Sequence, residues 1–154
     1  MKYWLMKSEP ETFSIDDLAA RKVEPWDGVR NYQARNFMRE MAVGDGVFFY
    51  HSNVRPPGIV GLAEVAKAAY PDPTQFDGQS DYFDARSTVD NPRWDLVEVR
   101  FKEKFAQMIT LEALKEHEAL SEMALVQKGN RLSVMPVTKA QWDCILSLAV
   151  RGNR

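Results

Sequence analysis

Within residues 95–104, the stretch 97–102 alternates without a break: Val97, Val99 and Phe101 fall on one side, Glu98, Arg100 and Lys102 on the other. A period of two is the repeat of a β-strand with one face on a core and the other in water. Whatever else this chain does, it builds a sheet. Residues 2–8, "KYWLMKS", carry aromatic and aliphatic groups on both faces, which suits a strand buried on both sides.

The remaining signals interleave short helices with strands. Ser14 with Asp17 forms a capping box that opens a helix through Arg21. Asn31 caps a second helix, whose Ala34, Phe37, Met38 and Met41 share one face at helical spacing. Residues 47–52 read as a strand, the two prolines at 56 and 57 as a loop without ladder donors, and residues 59–69 as a returning strand of a hairpin. Residues 70–93 gather Asp and Pro signals into a long surface loop, a length that is often functional in a compact domain. Thr110 caps a short helix through His117, a second helical piece follows near 121–126, and "RLSVMPV" is the last strand. Thr138 with Gln141 is a further capping box, and Trp142, Ile145, Leu146 and Ala149 form the apolar stripe of a C-terminal helix. The order predicts an α+β fold: a barrel-like sheet of five or six mixed strands surrounded by short helices, in one domain over residues 1–154.

Charge restricts the partners. Twenty Lys and Arg against 22 Asp and Glu leave a net charge of -2, so no global attraction to a polyanion exists and any nucleic-acid site is local. The charges are segregated, however. From Gly28 to Gly58 four arginines (Arg30, Arg35, Arg39 and Arg55) oppose two acids, whereas from Glu64 to Glu98 eight acids oppose three cations. One cysteine and two distant histidines make no metal pattern, so neither a metal nor a cofactor is expected. The N-terminus has no apolar run of signal-peptide length between Lys2 and Lys7, and no window approaches a membrane span. A cytoplasmic protein is expected.

The chemistry-bearing groups crowd into "WDGVRNYQARNFM", residues 26–38. Trp26 can stack on a base while Arg30 and Arg35 meet phosphates; equally, the indole can be a core group at a turn and the arginines can pair with nearby acids. "MKSEP" sets Lys7, Ser8 and Glu9 at a strand end, where they can converge on a ligand or make a surface ion pair and a turn. His51, Ser52 and Asn53 close the next strand in the same way. Lys7, Glu9 and His51 are the best acid-base assembly available to an enzyme, but no phosphate loop, zinc-protease motif or nucleophile elbow accompanies them. A non-enzymatic binder is therefore expected, with a protein-interaction module or a small nucleotide-directed enzyme as the alternatives.

The ordered segments "YWLMKSEP", "WDGVRNYQARNFM", "GDGVFFYHSN", "GIVGLAEV", "YPDPTQFD" and "RLSVMPV" resemble the EVE domain, a PUA-like family related to the YTH domains, over essentially the whole chain. The resemblance implies a PUA-like pseudo-barrel and a partner that is DNA or RNA carrying a modified base, modified cytosine above all. Carried onto this sequence, it implies a pocket drawn from Lys7, Ser8, Trp26, Asp27, Val29, Arg30, Asn31, Phe49, His51 and Ser52, with Tyr70 and Pro71 on a closing loop; for a base held there, Arg30, Arg35 and Arg55 are expected on the flanking phosphates.

Overall fold

The computed structural model describes residues 1–151. In chain order the elements are β1 (Tyr3–Ser8), α1 (Ile15–Arg21), β2 (Val23–Pro25), α2 (Tyr32–Glu40), β3 (Gly46–His51), β4 (Gly58–Pro71), β5 (Asp95–Thr110), α3 (Leu111–Lys115), β6 (Val134–Val137), α4 (Lys139–Leu148) and β7 (Val150–Arg151). Single 3-10 turns cover Pro73–Phe76, Glu118–Leu120 and Ala124–Val126.

The predicted caps are present as hydrogen bonds. Ser14 and Thr138 each accept from the third helical amide while Asp17 and Gln141 reach back, completing both boxes. Asn31 accepts from the Ala34 amide, and Thr110 from that of Ala113. Each bond satisfies an amide that a helix start leaves without a partner.

Six strands hydrogen-bond in the order β2-β5-β4-β3-β1-β6, and β7 adds to β5. The β1–β3 pair is parallel and the others are antiparallel, so the sheet is mixed. The path stays open, with β2 and β6 as its ends. On β1 and β3 alternate residues enter different cores: Trp4, Met6, Val47 and Phe49 face one, Leu5, Phe48 and Tyr50 the other. That is the physical reason β1 is apolar on both faces. The first core is covered by α1 and α2 through Leu18, Ala34 and Met38; the second by α3, α4 and the 3-10 turns through Leu114, Ile145, Leu120 and Leu125.

The structure lengthens the alternating strand beyond its legible pattern. β5 continues to Thr110, and repeated register shifts against β4 break the strict period of two. At one of these shifts a Cβ on Gly61 would collide with the Glu103 carbonyl, so only glycine allows the two backbones to approach there. The edge strand β2 and the short β7 are additions to the expected set.

Candidate functional site

A cavity of about 500 Å3 opens where β1 ends. Its floor is set by a turn: the Ser8 hydroxyl donates to the Phe13 carbonyl at 2.6 Å, and the Thr12 and Phe13 amides both donate to the Glu9 carbonyl at 2.9 Å. This turn brings the Phe13 ring back over the end of the strand. Opposite it, the Trp26 amide donates to the Val97 carbonyl at 2.8 Å, which extends the β2–β5 ladder and holds the indole at the cavity wall. The indole stands edge-on to Phe49 at 5.5 Å and to Phe13 at 6.3 Å, in the perpendicular arrangement that aromatic quadrupoles favour.

The third wall comes from the long loop. Tyr82 lies over Gly28, whose φ of +79° and lack of a side chain are both required, since a Cβ there would stand 2.6 Å from the tyrosine ring. Buried Asp72 organises this contact. Its carboxylate accepts from the Gly28 amide, the Arg30 guanidinium, and the Thr74 amide and hydroxyl. Arg30 also donates to the Val29 and Tyr82 carbonyls and to the Thr74 hydroxyl. Behind it, fully buried Gln75 donates to the Asp72 and Trp94 carbonyls and accepts from the Arg93 and Trp94 amides. The Trp94 indole donates to Asp84; that hydrogen bond, reinforced by the Arg86 amide and charge, lowers the Asp84 carboxyl to about 2. After Tyr70 and Pro71, which end β4, the segment is thus a folded loop tied down by buried side-chain hydrogen bonds.

Two charged groups in the cavity have shifted affinities for a proton. Burial pushes the Lys7 ammonium below its ordinary range, and among the described residues no carboxylate pairs with it; the nearest assigned contact is the Tyr50 ring at 5.7 Å. Burial, followed by the Asp72 and Glu24 charges, raises Asp27, with Arg30 opposing. The cavity therefore offers an aromatic wall, a cationic donor short of a partner, and a carboxylate acceptor.

Of the residues singled out from sequence, Lys7, Ser8, Glu9, Trp26, Asp27, Val29 and Arg30 line this cavity together. The others stand behind or beside it. Phe49 is fully buried behind Trp26, and Asn31 is occupied as the cap of α2. Arg35 lies over the Tyr32 ring and donates to the Arg93 carbonyl and the Asn36 side chain. His51 accepts from the Ile15 amide through Nε2 at 3.1 Å, and burial lowers its pKa, so the neutral ring anchors the start of α1. The Ser52 amide donates to the Ser8 carbonyl. Tyr70 donates to Glu98, and Pro71 ends β4 next to the Asp72 hub. Sequence reasoning missed Phe13, Tyr82 and Ser133 as lining residues. Tyr82 and Ser133 are far from Trp26 along the chain; only the aromatic character of Tyr82 within an otherwise acidic loop signalled it. No group of His, Cys, Asp or Glu among the described residues is arranged to hold a metal, and no helix among them is long and apolar enough to cross a membrane.

Comparison with known proteins adds three findings. A family model described as "EVE domain" matches residues 2–148. Mouse thymocyte nuclear protein 1 is 48% identical over 165 aligned residues, covering 95% of this chain and 73% of its own. Among solved structures, a Pseudomonas putida protein superposes with a TM-score of 0.93 at 54% identity, covering 95% of this chain and 98% of that one. Human thymocyte nuclear protein 1, in complex with DNA containing 5-methylcytosine, superposes with a TM-score of 0.91 at 44% identity, covering 96% and 97% of the two chains.

Proposed function

Since the chain belongs to the EVE domain family and has its α+β, PUA-like fold, we propose that it is a single-domain nucleic-acid reader that holds a modified base, by preference a modified cytosine, in the cavity beside Trp26. The observation that carries this reading is the human relative's complex with 5-methylcytosine DNA, made by a chain of the same fold at 44% identity. The cavity suits it. A base swung from its stack exchanges stacking on its neighbours for stacking on Trp26, while Lys7 donates to a ring acceptor and Asp27 accepts from an exocyclic amine. Cytosine presents both kinds of group on its pairing edge.

Burial of one methyl supplies about 0.8 kcal/mol, roughly fourfold in affinity, so the methyl alone discriminates weakly. Stronger selectivity comes from an edge contact that the wrong base leaves unpaired, an effect of about 1–3 kcal/mol. No enzyme is needed to account for the site. Of the acid-base assembly considered from sequence, His51 has Nε2 occupied by the Ile15 amide and lies outside the cavity lining. The lone cysteine, Cys144, suits the reducing cytoplasm, where we place the protein.

The test is fluorescence anisotropy with single-stranded and duplex oligonucleotides carrying cytosine, 5-methylcytosine, 5-hydroxymethylcytosine or N6-methyladenine at fixed salt. Binding is expected to depend on the modification. Trp26→Ala is expected to weaken it by the stacking contribution, about 1–3 kcal/mol. Affinity indifferent to both the modification and the substitution overturns the reading.

A further inference from the structure

Three exposed cations that the fold leaves without an ion pair stand on segments leaving one end of the sheet. β1 and β3 run parallel and finish together at Ser8 and His51, joined by the Ser52 amide donating to the Ser8 carbonyl at 3.0 Å. β6 lies on the other side of β1, antiparallel to it, so it begins at this same end; there the Lys7 amide donates to the Ser133 carbonyl at 2.8 Å. Segments 9–14, 52–57 and 127–133 consequently leave the sheet at the same end, where Lys7, Glu9 and Ser133 line the cavity. With strands about 4.8 Å apart, the two outer segments leave the sheet about 10 Å from one another across β1.

Those outer segments carry Arg55 on one side and Lys128 and Arg131 on the other. All three are exposed, and among the described residues none makes an ion pair or a side-chain hydrogen bond. The 127–133 segment is nevertheless a built turn. It reverses at Gly129, with φ at +78°, and Asn130 ties it down: its amide donates to the Gln127 carbonyl and its side chain accepts from the Leu132 amide at 3.0 Å. The three segments hold two acids, Glu9 and Glu11, Glu9 accepting from Asn53 at 3.4 Å, and Glu24 and Asp27 line the cavity from its other side. The contrast is with the arginines of the Trp26 stretch. Arg30 and Arg35 have their donors engaged in holding the 70–93 loop and its neighbours.

A nucleotide whose base enters the cavity brings a phosphodiester to the cavity mouth on each side of its sugar. Phosphates require cations whose donors are not already in use. We propose that Lys128 and Arg131 of the 127–133 turn, with Arg55 of the 52–57 loop, bind the phosphodiesters flanking the base held in the cavity, while Arg30 and Arg35 serve to hold the loop that forms its third wall. This inference rests on the base-binding reading above.

The experiment is a salt titration of binding to a single-stranded oligonucleotide carrying the preferred modification, comparing the wild type with Arg131→Gln, Arg131→Lys, Arg55→Gln, the Lys128→Gln/Arg131→Gln double variant and, for the α2 side, Arg35→Gln. On single strands each phosphate contact contributes about 0.7 to the slope of log K against log salt concentration. The double variant is expected to lose about 1.4 of slope, and Arg131→Gln and Arg55→Gln about 0.7 each. Arg131→Lys should keep its slope, and the ratio of modified to unmodified affinity should not change in any of them. Thermal melting at an unchanged temperature verifies the fold, as expected for exposed positions. Wild-type slopes in all the glutamine variants, with modification-dependent binding intact, overturn the phosphate contacts and leave the base reading standing. Loss of slope in Arg35→Gln instead places the phosphates on the α2 side and also overturns them. A wild type whose binding ignores the modification removes both readings together.

Discussion

On the proposed base-binding reading, Lys7 is the residue at which binding and stability pull in opposite directions. Its ammonium is half-buried, carries no carboxylate partner among the described residues, and is held below its usual pKa by burial alone. A desolvated cation without a counter-charge costs the free protein stability that an incoming acceptor returns. Lys7→Met keeps the length and the apolar stem while removing the charge. The variant is expected to melt at the wild-type temperature or higher, by up to about 1–2 kcal/mol of added stability. It should also bind the modified oligonucleotide at least tenfold more weakly, read by thermal denaturation and anisotropy on the same sample. A variant that is both less stable and unimpaired in binding would make Lys7 an ordinary structural residue. The sequence showed Lys7, Ser8 and Trp26 by chemical type at strand and turn positions. It could not show that Phe13 folds back onto Ser8 or that Tyr82 arrives over Gly28, because those are products of a hydrogen-bonded turn and of a contact across more than fifty residues.

At the scale of elements, the 70–93 loop depends on few groups. Asp72 accepts four hydrogen bonds and pairs with Arg30, at no exposure of its own side chain, and through Gly28 it fixes where Tyr82 closes the cavity. Asp72→Ala removes the acceptor for two amides, a hydroxyl and a guanidinium at once. Loss of one partner from a buried ion pair typically costs about 3–5 kcal/mol. The variant is expected to lose stability on that scale and to expose Arg30 and Tyr82, seen as faster amide exchange across residues 70–93 than across β1 and β3. Uniform protection in the variant would show that Gln75 and Trp94 hold the loop without the carboxylate. Helix starts were legible because a cap is a local pattern, and Ser14, Asn31, Thr110 and Thr138 all hydrogen-bond as their spacing requires. Strand extents were less legible. Val23–Pro25 is too short to display a period, and past Glu103 a further register shift between Lys104 and Ile109 ends the alternation that identified the first half of β5.

For the whole molecule, stability depends partly on protonation. His51 is neutral in the fold because burial, the dominant cause, lowers its pKa below 6.5, with the Asp16 charge opposing and that of Lys104 assisting. Its Nε2 must stay unprotonated to accept from the Ile15 amide at the start of α1, which covers the first core. A group with a depressed folded pKa favours the native state less as protons become available to the unfolded chain. The His51 contribution is therefore complete above about pH 6.5 and declines as pH falls toward the folded value. Three carboxylates act at lower pH in the same direction, the first being Asp17, held down by its hydrogen bonds from Ser14. Burial would raise Asp45, but hydrogen bonds from the Ala42 amide, the Trp4 indole and the Lys2 amide outweigh it, and Asp84 lies at about 2. Their stabilisation is present above the unfolded value near 3.9 and disappears as pH falls through their folded values. Asp27 opposes them, because its raised pKa relieves a penalty as pH falls. The expected melting temperature therefore declines in two separate stages, one beginning near pH 6.5 and one below pH 4. His51→Gln retains an acceptor for the Ile15 amide without a titrating ring, so its melting temperature should be flat between pH 6.5 and 5 while keeping the acid stage. An unchanged upper stage in that variant would place the titrating group elsewhere and make the anchoring of α1 independent of pH.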